Sequence, residues 1–444
     1  MMRSVFLMLL CLSSLIASDW LMIQGTEPKM IKKEGEKVLN TIKTPSLWGF
    51  AQLKYEKNYS DVFESGGFNK TGFAYIGPSL EKQSQIQLFR ARMGLRGVLD
   101  DDNKINYFTL TEFADNAISN PLGHSQNTYI TDASLSFRYI PYANIRLGLF
   151  KYPGSEEGLQ ARFASPFISF TQMSNFLLLE KTPGTDKNSV NISGSFIGEP
   201  AHSVGAYRDT GIEIFDRLRV NDDWAFSYAL MLGNGSGLEW ENNNDGKYTG
   251  YGYLAVEKEF HKGKGYYTQD LKTYLWYQEG KRAINANSRT ELYDRIRYGA
   301  GLRYYKDGLR IEAEYTVARG VLFAGVQDDN PLSGHENWNY AVEAGKENKA
   351  YGYYLSTAYE FYPKFEAMMR YDELDNLTNS TAKERVFKTT TLGLSYHFDG
   401  PTRLDLNYLF READAPGNVN AQNVLDSIGD VVTLQFTYKF DLRL

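Results

Sequence analysis

The sequence predicts an all-β fold: a transmembrane antiparallel β-barrel of about sixteen strands, with its third outer loop folded inward. Three observations carry that prediction. Apolar and polar residues alternate in sixteen runs, most of them near the ten residues that a tilted strand needs to cross a bilayer. The connections between runs alternate between long and short. The composition is rich in Tyr (32), Phe (26) and Gly (39) but poor in Pro (13), a bias toward strands and turns.

The chain opens as a secretory leader, residues 1–18. Arg3 supplies the positive end, Val5 to Ile16 a short apolar stretch, and Ala17-Ser18 small residues for cleavage. Leu10 before Cys11 is not the small residue that lipidation wants. Cys11 is the only cysteine, so after cleavage disulfides, cysteine nucleophiles and thiolate metal sites are excluded. Residues 19–46 are polar and Lys-rich and read as a periplasmic extension, with a short helix predicted from near Pro28. Residues 47–444 form the barrel domain. Past the leader no apolar run approaches 18 residues, so no transmembrane helix is expected.

The expected strands are 47–55, 85–99, 105–113, 128–139, 143–151, 208–217, 224–232, 248–259, 271–280, 294–305, 309–318, 349–359, 364–372, 386–397, 402–410 and 430–440. The final run is typical. Val432, Leu434, Phe436, Tyr438 and Phe440 oppose Thr433, Gln435, Thr437 and Lys439. In "LFRARMGLRG", Phe89, Ala91, Met93 and Leu95 oppose Arg90, Arg92 and Arg96. A soluble sheet would bury the apolar face and has no use for stacked arginines behind it. A lipid-facing wall around a watery lumen uses both faces, and closure satisfies every backbone group without an edge. At sixteen strands the interior is too wide for wall side chains to fill.

The short connections include "IPYA", "VNDD", "KDG", "EFYP" and "FDGP", with the Asp, Asn, Gly and Pro that tight turns demand. They read as periplasmic turns and the long ones as outer loops. The longest, Tyr152–Tyr207, holds the apolar patch "SPFISFTQMSNFLLLE". A patch like this on an exposed, structureless loop is unfavourable, so this loop is expected to enter and narrow the barrel.

Several stretches resemble the phosphate-selective porin O and P family of Gram-negative outer membranes: "FRARMGLRGVL", "TDASLSFRYIPYANIRLGLFKYP", "RDTGIEIFDR", "YALMLGNGSG", "RYDELD" and "LDLNYLF". The resemblance covers most of residues 47–440 and is best in the segment ending "LGLFKYP". It implies a sixteen-stranded, usually trimeric barrel in outer-membrane lipid, with the third outer loop as a constriction and lumenal cations conducting small anions. Two features depart from it: acids also face the lumen, and the chain ends in Leu444, where such barrels often end in Phe.

On these registers Arg90, Arg92, Arg96, Arg138, Arg146, Arg295, Arg297, Arg303, Arg310, Arg370 and Arg403 face the lumen. Glu112, Asp132, Glu213, Glu312, Glu314, Glu366 and Asp405 face it too. The candidate anion-binding, pore-lining set is Arg90, Arg92, Arg96, Arg146, Arg295, Arg297 and Arg303, because guanidinium suits oxyanions. The plainer reading is that many arginines pair with acids and brace the wall, Arg310 with Glu312 and Glu314 for example. Ser395 and His397 share a face but lack an evident third member for hydrolysis. "ENNNDG" starts like a calcium loop, but its twelfth position is Gly252, and "GNGSG" precedes no helix. No cofactor, metal or nucleic acid is expected. The sequence therefore points to an outer-membrane diffusion channel with mild anion preference, phosphate being the anion that the resemblance implies, rather than an enzyme. The alternatives are a structural or adhesin barrel whose loops bind a partner and, further off, a barrel hydrolase.

Overall fold

The computed structural model describes residues 45–65, 68–71, 84–100, 104–114, 116, 118–119, 128–179, 181–182, 202–203, 205–235, 237–238, 247–263, 267–286, 289–326, 340–398 and 402–443. The leader and nearly all of the proposed periplasmic extension lie outside these residues, as do "ENNNDG" and much of the second half of the Tyr152–Tyr207 loop.

All sixteen alternating runs are strands, and they close into one antiparallel barrel. In chain order they are β1 (Ser46–Asn58), β2 (Ser84–Val98), β3 (Ile105–Glu112), β4 (Tyr129–Ile140), β5 (Ala143–Lys151), β6 (Arg208–Arg219), β7 (Trp224–Gly233) and β8 (Thr249–Glu259). They continue as β9 (Asp270–Ala286), β10 (Arg289–Lys306), β11 (Leu309–Val326), β12 (Tyr340–Tyr362), β13 (Phe365–Asn376), β14 (Arg385–His397), β15 (Arg403–Asp414) and β16 (Val431–Arg443). Each strand pairs with its predecessor in sequence. The ring closes where Ser46 on β1 meets Arg443 on β16, and the pairing runs unbroken to Asn58 opposite Val431. No sheet edge is left for lipid to meet.

The outer wall carries the apolar half of each alternation. Leu230, Leu254, Leu275, Leu355, Met369, Leu392 and Leu406 are exposed on it. Near the short turns it presents Tyr139, Trp224, Tyr359, Phe361 and Phe398, and toward the other end Tyr277, Tyr315 and Phe410. Aliphatic residues between two levels of aromatic ones match a bilayer, whose interfaces take rings that are wet at one end. No helix among the described residues is long and apolar enough to cross a membrane; the strands cross instead.

Four strands outrun their sequence patterns. β9, β10, β11 and β12 have 17, 18, 18 and 23 residues. Beyond the lipid the apolar alternation lapses, as at Lys281-Arg282, while the backbone ladder continues. Periodicity reports the lipid-facing length only. The ladder length depends on pairing, which sequence does not display.

One inward–outward assignment is wrong. Phe89 does not face lipid; it is buried inside the barrel. The β1–β2 register jumps from Gln52↔Arg90 to Leu53↔Leu88, leaving Phe89 as the extra residue of a bulge. A bulge breaks the period of two, so Leu88 and Ala91 face outward while Phe89 and Arg90 both face in.

Candidate functional site

The lumen is the site. Its wall is polar because the inward half of each alternation carries Arg, Lys, Glu, Asp, Gln and Thr. All seven candidate arginines lie on the inner face and are shielded. Their partners differ. Arg92 holds Glu112 of β3 at 2.7 Å and donates to Ser119 at 3.1 Å. Arg96 holds Asp441 of β16 at 2.6 Å. Arg146 of β5 holds Glu213 of β6 at 3.0 Å and covers the Phe215 ring at 4.2 Å. Arg303 of β10 holds Asp270 of β9 at 2.5 Å. Arg92, Arg146 and Arg303 brace neighbouring strands, and Arg96 reaches across β1 to the strand beyond it. Arg297 instead donates to the carbonyls of Leu177, Arg319 and Val321. Arg295 donates to Gln278.

Arg90 differs from the paired set. It donates to Gln52 at 2.9 Å and has no carboxylate partner among the described residues. Its guanidinium and the Lys54 ammonium both sit over the Phe89 ring, at 4.3 and 3.8 Å. The bulge that turns Phe89 inward thus gathers two cations on one ring. Arg162, from the inward loop, stands on the same side and its backbone carbonyl accepts from Gln52. Burial lowers the Arg162 guanidinium to about 10 against the pull of Glu157, so it remains cationic at neutral pH.

Arg310 does not pair with Glu312 or Glu314. It reaches Glu366 on β13, 3.5 Å away. The side chain reaches over the inner face of β12, where Ala358 stands opposite Arg310, to the strand beyond. Glu314 accepts instead from Trp276 at 2.8 Å and Ser155 at 2.9 Å. The sequence also missed inner acids, among them Glu257, Asp270 and Asp372, and the inner cations Lys54 and Lys272. Lys54 was detectable: Gln52, Lys54 and Glu56 alternate with Leu53 and Tyr55. Arg162 was not, since it lies in a loop without periodicity.

The apolar patch of the long loop lies inside the barrel. Residues 152–179 begin above α1 (Glu156–Leu159), pass a tip near Ser165, and rise into a π-helical turn at Ser174–Leu178. Phe176 packs on Phe323 of β11 and Phe387 of β14, with ring centres 5.4 and 4.9 Å apart. Gly352 of β12 leaves room there; a Cβ on it would lie 2.9 Å from that of Met173.

A Ser–His hydrolytic pair is not formed. The Ser395 hydroxyl donates to Asp405, while the His397 ring stands 3.4 Å from Glu366. Each residue is turned to a different carboxylate.

Comparison with solved structures agrees on the architecture. The fold is that of the outer-membrane porins. An anion-selective porin from Comamonas acidovorans aligns with a TM-score of 0.52 at 13% identity, over 90% of this chain and 99% of that one. Salmonella typhi OmpF, solved in complex with daunomycin, aligns with a TM-score of 0.52 at 12% identity, over 91% of this chain and 100% of that one. Outer-membrane expressed OmpT of Vibrio cholerae gives 0.51 at 11% identity, over 91% and 100%. At these identities the likeness is one of fold. No protein-family model and no curated protein matches the chain.

Proposed function

We propose that the protein is a passive diffusion channel for small hydrophilic solutes in the outer membrane of a Gram-negative bacterium, working as a homotrimer, with a mild preference for anions. The observation that carries the channel reading is the closed sixteen-strand barrel with a polar inner wall and an apolar outer one. The anion preference rests on one place. Where Arg92, Arg96, Arg146 and Arg303 are held by carboxylates, Arg90 is held, among the described residues, by Gln52 alone and stands over Phe89 with Arg162 nearby, while Lys54 on the same ring is paired with Glu56. Unbalanced positive charge in a low-dielectric wall raises the local concentration of anions. Inorganic phosphate is the first solute to try, on the strength of the sequence resemblance.

The test is reconstitution of the purified protein in planar bilayers under a potassium chloride gradient. A reversal potential of the chloride-selective sign supports the reading. A cation-selective sign defeats the anion preference. A second reading, a barrel that serves chiefly to display its outer loops, is favoured by the packing of residues 152–179 inside the lumen. Folded protein that never conducts, even with that segment shortened, would support it.

A further inference from the structure

The route of residues 152–179 can be read from the strands they touch. The descending limb follows one wall. Ser155 donates to Glu314 of β11, and Glu156 meets Lys272, third residue of β9, at 2.5 Å and Arg303 of β10 at 3.1 Å. The tip then crosses the lumen. Phe163 packs on Phe50 of β1 at 5.4 Å and under the Lys439 ammonium of β16 at 4.6 Å. Arg403, the first residue of β15 and next to a short turn, donates to the Ser165 carbonyl. Phe167 packs with Ala358 and Met368 near the β12–β13 turn. The ascending limb climbs past β15 and β13 and ends back against β10. Ile168 donates to Asn407, Arg370 to Ser169, the Gln172 amide to Asp372, and Arg297 to Leu177. A band at mid-height would touch one level of the wall. This segment reaches the mouth beside the short turns and returns.

It is also dry. From Tyr152 to Leu179 only Ala161, Phe163 and Ser169 are even half-exposed; every other residue is buried. A segment bordering an open aqueous path keeps one side wet. The wall agrees: Gln52, Lys272, Ser395, Asp405 and Thr437, at several places around the ring, have no appreciable exposure.

The two ends of the segment are held by different physics. The upper end is an apolar core, with Met173, Phe176, Leu177 and Leu178 clustered with Leu322, Phe323, Leu374 and Phe387. Water cannot replace that contact. The tip places Leu159, Ala164 and Phe170 at the edge of that core, but its outermost part is held by Phe163 and Phe167, each of which packs into a small separate cluster, and by hydrogen bonds to carbonyls, which water replaces at small net cost. Glu157 ties the limbs together through Thr171, at 2.6 Å to its hydroxyl, so the hairpin below that tie is the part free to swing.

We infer that residues 158–170 are a gate, latched shut in this structure by Phe163 and Phe167, and that conduction requires the tip to leave the mouth beside the short turns. This rests on the channel reading. The experiment is single-channel recording on the purified full chain, comparing wild type, Phe163→Ala/Phe167→Ala, and a variant with Arg162–Ser169 replaced by a Gly-Ser linker. Each variant is first checked for heat-modifiable migration. The gate predicts that wild type is mostly closed with brief openings. The double alanine variant should open on the order of tenfold more often at unchanged unitary conductance. The linker variant should stay open. A steadily open wild type, whose unitary conductance rather than open probability rises in the variants, overturns the gate and leaves a fixed constriction. A folded linker variant that never conducts overturns the channel reading and the gate with it.

Discussion

Charge reversal at Arg90 and at Arg92 separates the two jobs an inner arginine can do. The residues are two apart on β2 and both are buried. Arg92 holds Glu112, whose side chain has 0% exposure, at 2.7 Å. Arg92→Glu therefore sets two carboxylates against each other where one was neutralised. Breaking a buried pair costs about 3–5 kcal/mol, and reversal adds repulsion. Arg90→Glu breaks no ion pair: it loses the bond to Gln52 and the contact with the Phe89 ring, and Lys54, already paired with Glu56, and Arg162 remain on that side as cations. The barrel should fold. In the open channel, for an assumed separation of about 8 Å from a passing ion and a dielectric near 80, a two-unit change of charge shifts the ion's potential energy by about 1 kcal/mol. Screening over one Debye length reduces that to about 0.4 kcal/mol. Cations and anions shift oppositely, so the cation-to-anion permeability ratio should rise between about fourfold and about thirtyfold. The assay is reversal potential under a salt gradient, with urea unfolding in liposomes as the stability control. If Arg90→Glu folds and its selectivity is unchanged, the ion path does not pass Arg90. If Arg92→Glu is as stable as wild type, the bracing role of the Arg92–Glu112 pair is refuted.

Two further predictions concern the wall. Arg146 and Glu213 are both fully buried, so Arg146→Gln alone should destabilise the barrel by about 3–5 kcal/mol, while Arg146→Gln/Glu213→Gln should recover much of the loss; a double-mutant cycle by urea titration that shows simple additivity would contradict the pairing. Single cysteines at Leu88 and Phe89 in the leaderless chain should differ in environment, a fluorophore at position 88 being quenched by brominated lipid and one at 89 not; equal quenching would mean that the bulge is absent.

The barrel was legible in the sequence to an unusual degree because lipid imposes a period of two on every crossing strand. Leu309, Ile311, Ala313 and Tyr315 oppose Arg310, Glu312 and Glu314 in sequence, and in the structure they face out and in accordingly. The alternation of turn-rich short connections with long ones oriented the hairpins, since tight turns need particular residues. The same rule failed at Phe89. A bulge adds one residue to one strand, and nothing in "LFRAR" marks which residue is extra.

What only the tertiary structure decided is pairing across strands and the path of the inward loop. The sequence places Arg310 beside Glu312 and Glu314, but its partner is Glu366, more than fifty positions away and two strands over, because ring closure lets a long side chain reach across the small Ala358 of the strand between. It marks "SPFISFTQMSNFLLLE" as too apolar to stay in water, yet not that Phe176 would meet Phe323 and Phe387, nor that Arg403 would hold Ser165 beside a short turn. Alternation is a local property, set by each residue against the medium it faces. The lumen is built by residues that meet only once the ring has closed, and their chemistry is decided by that closure.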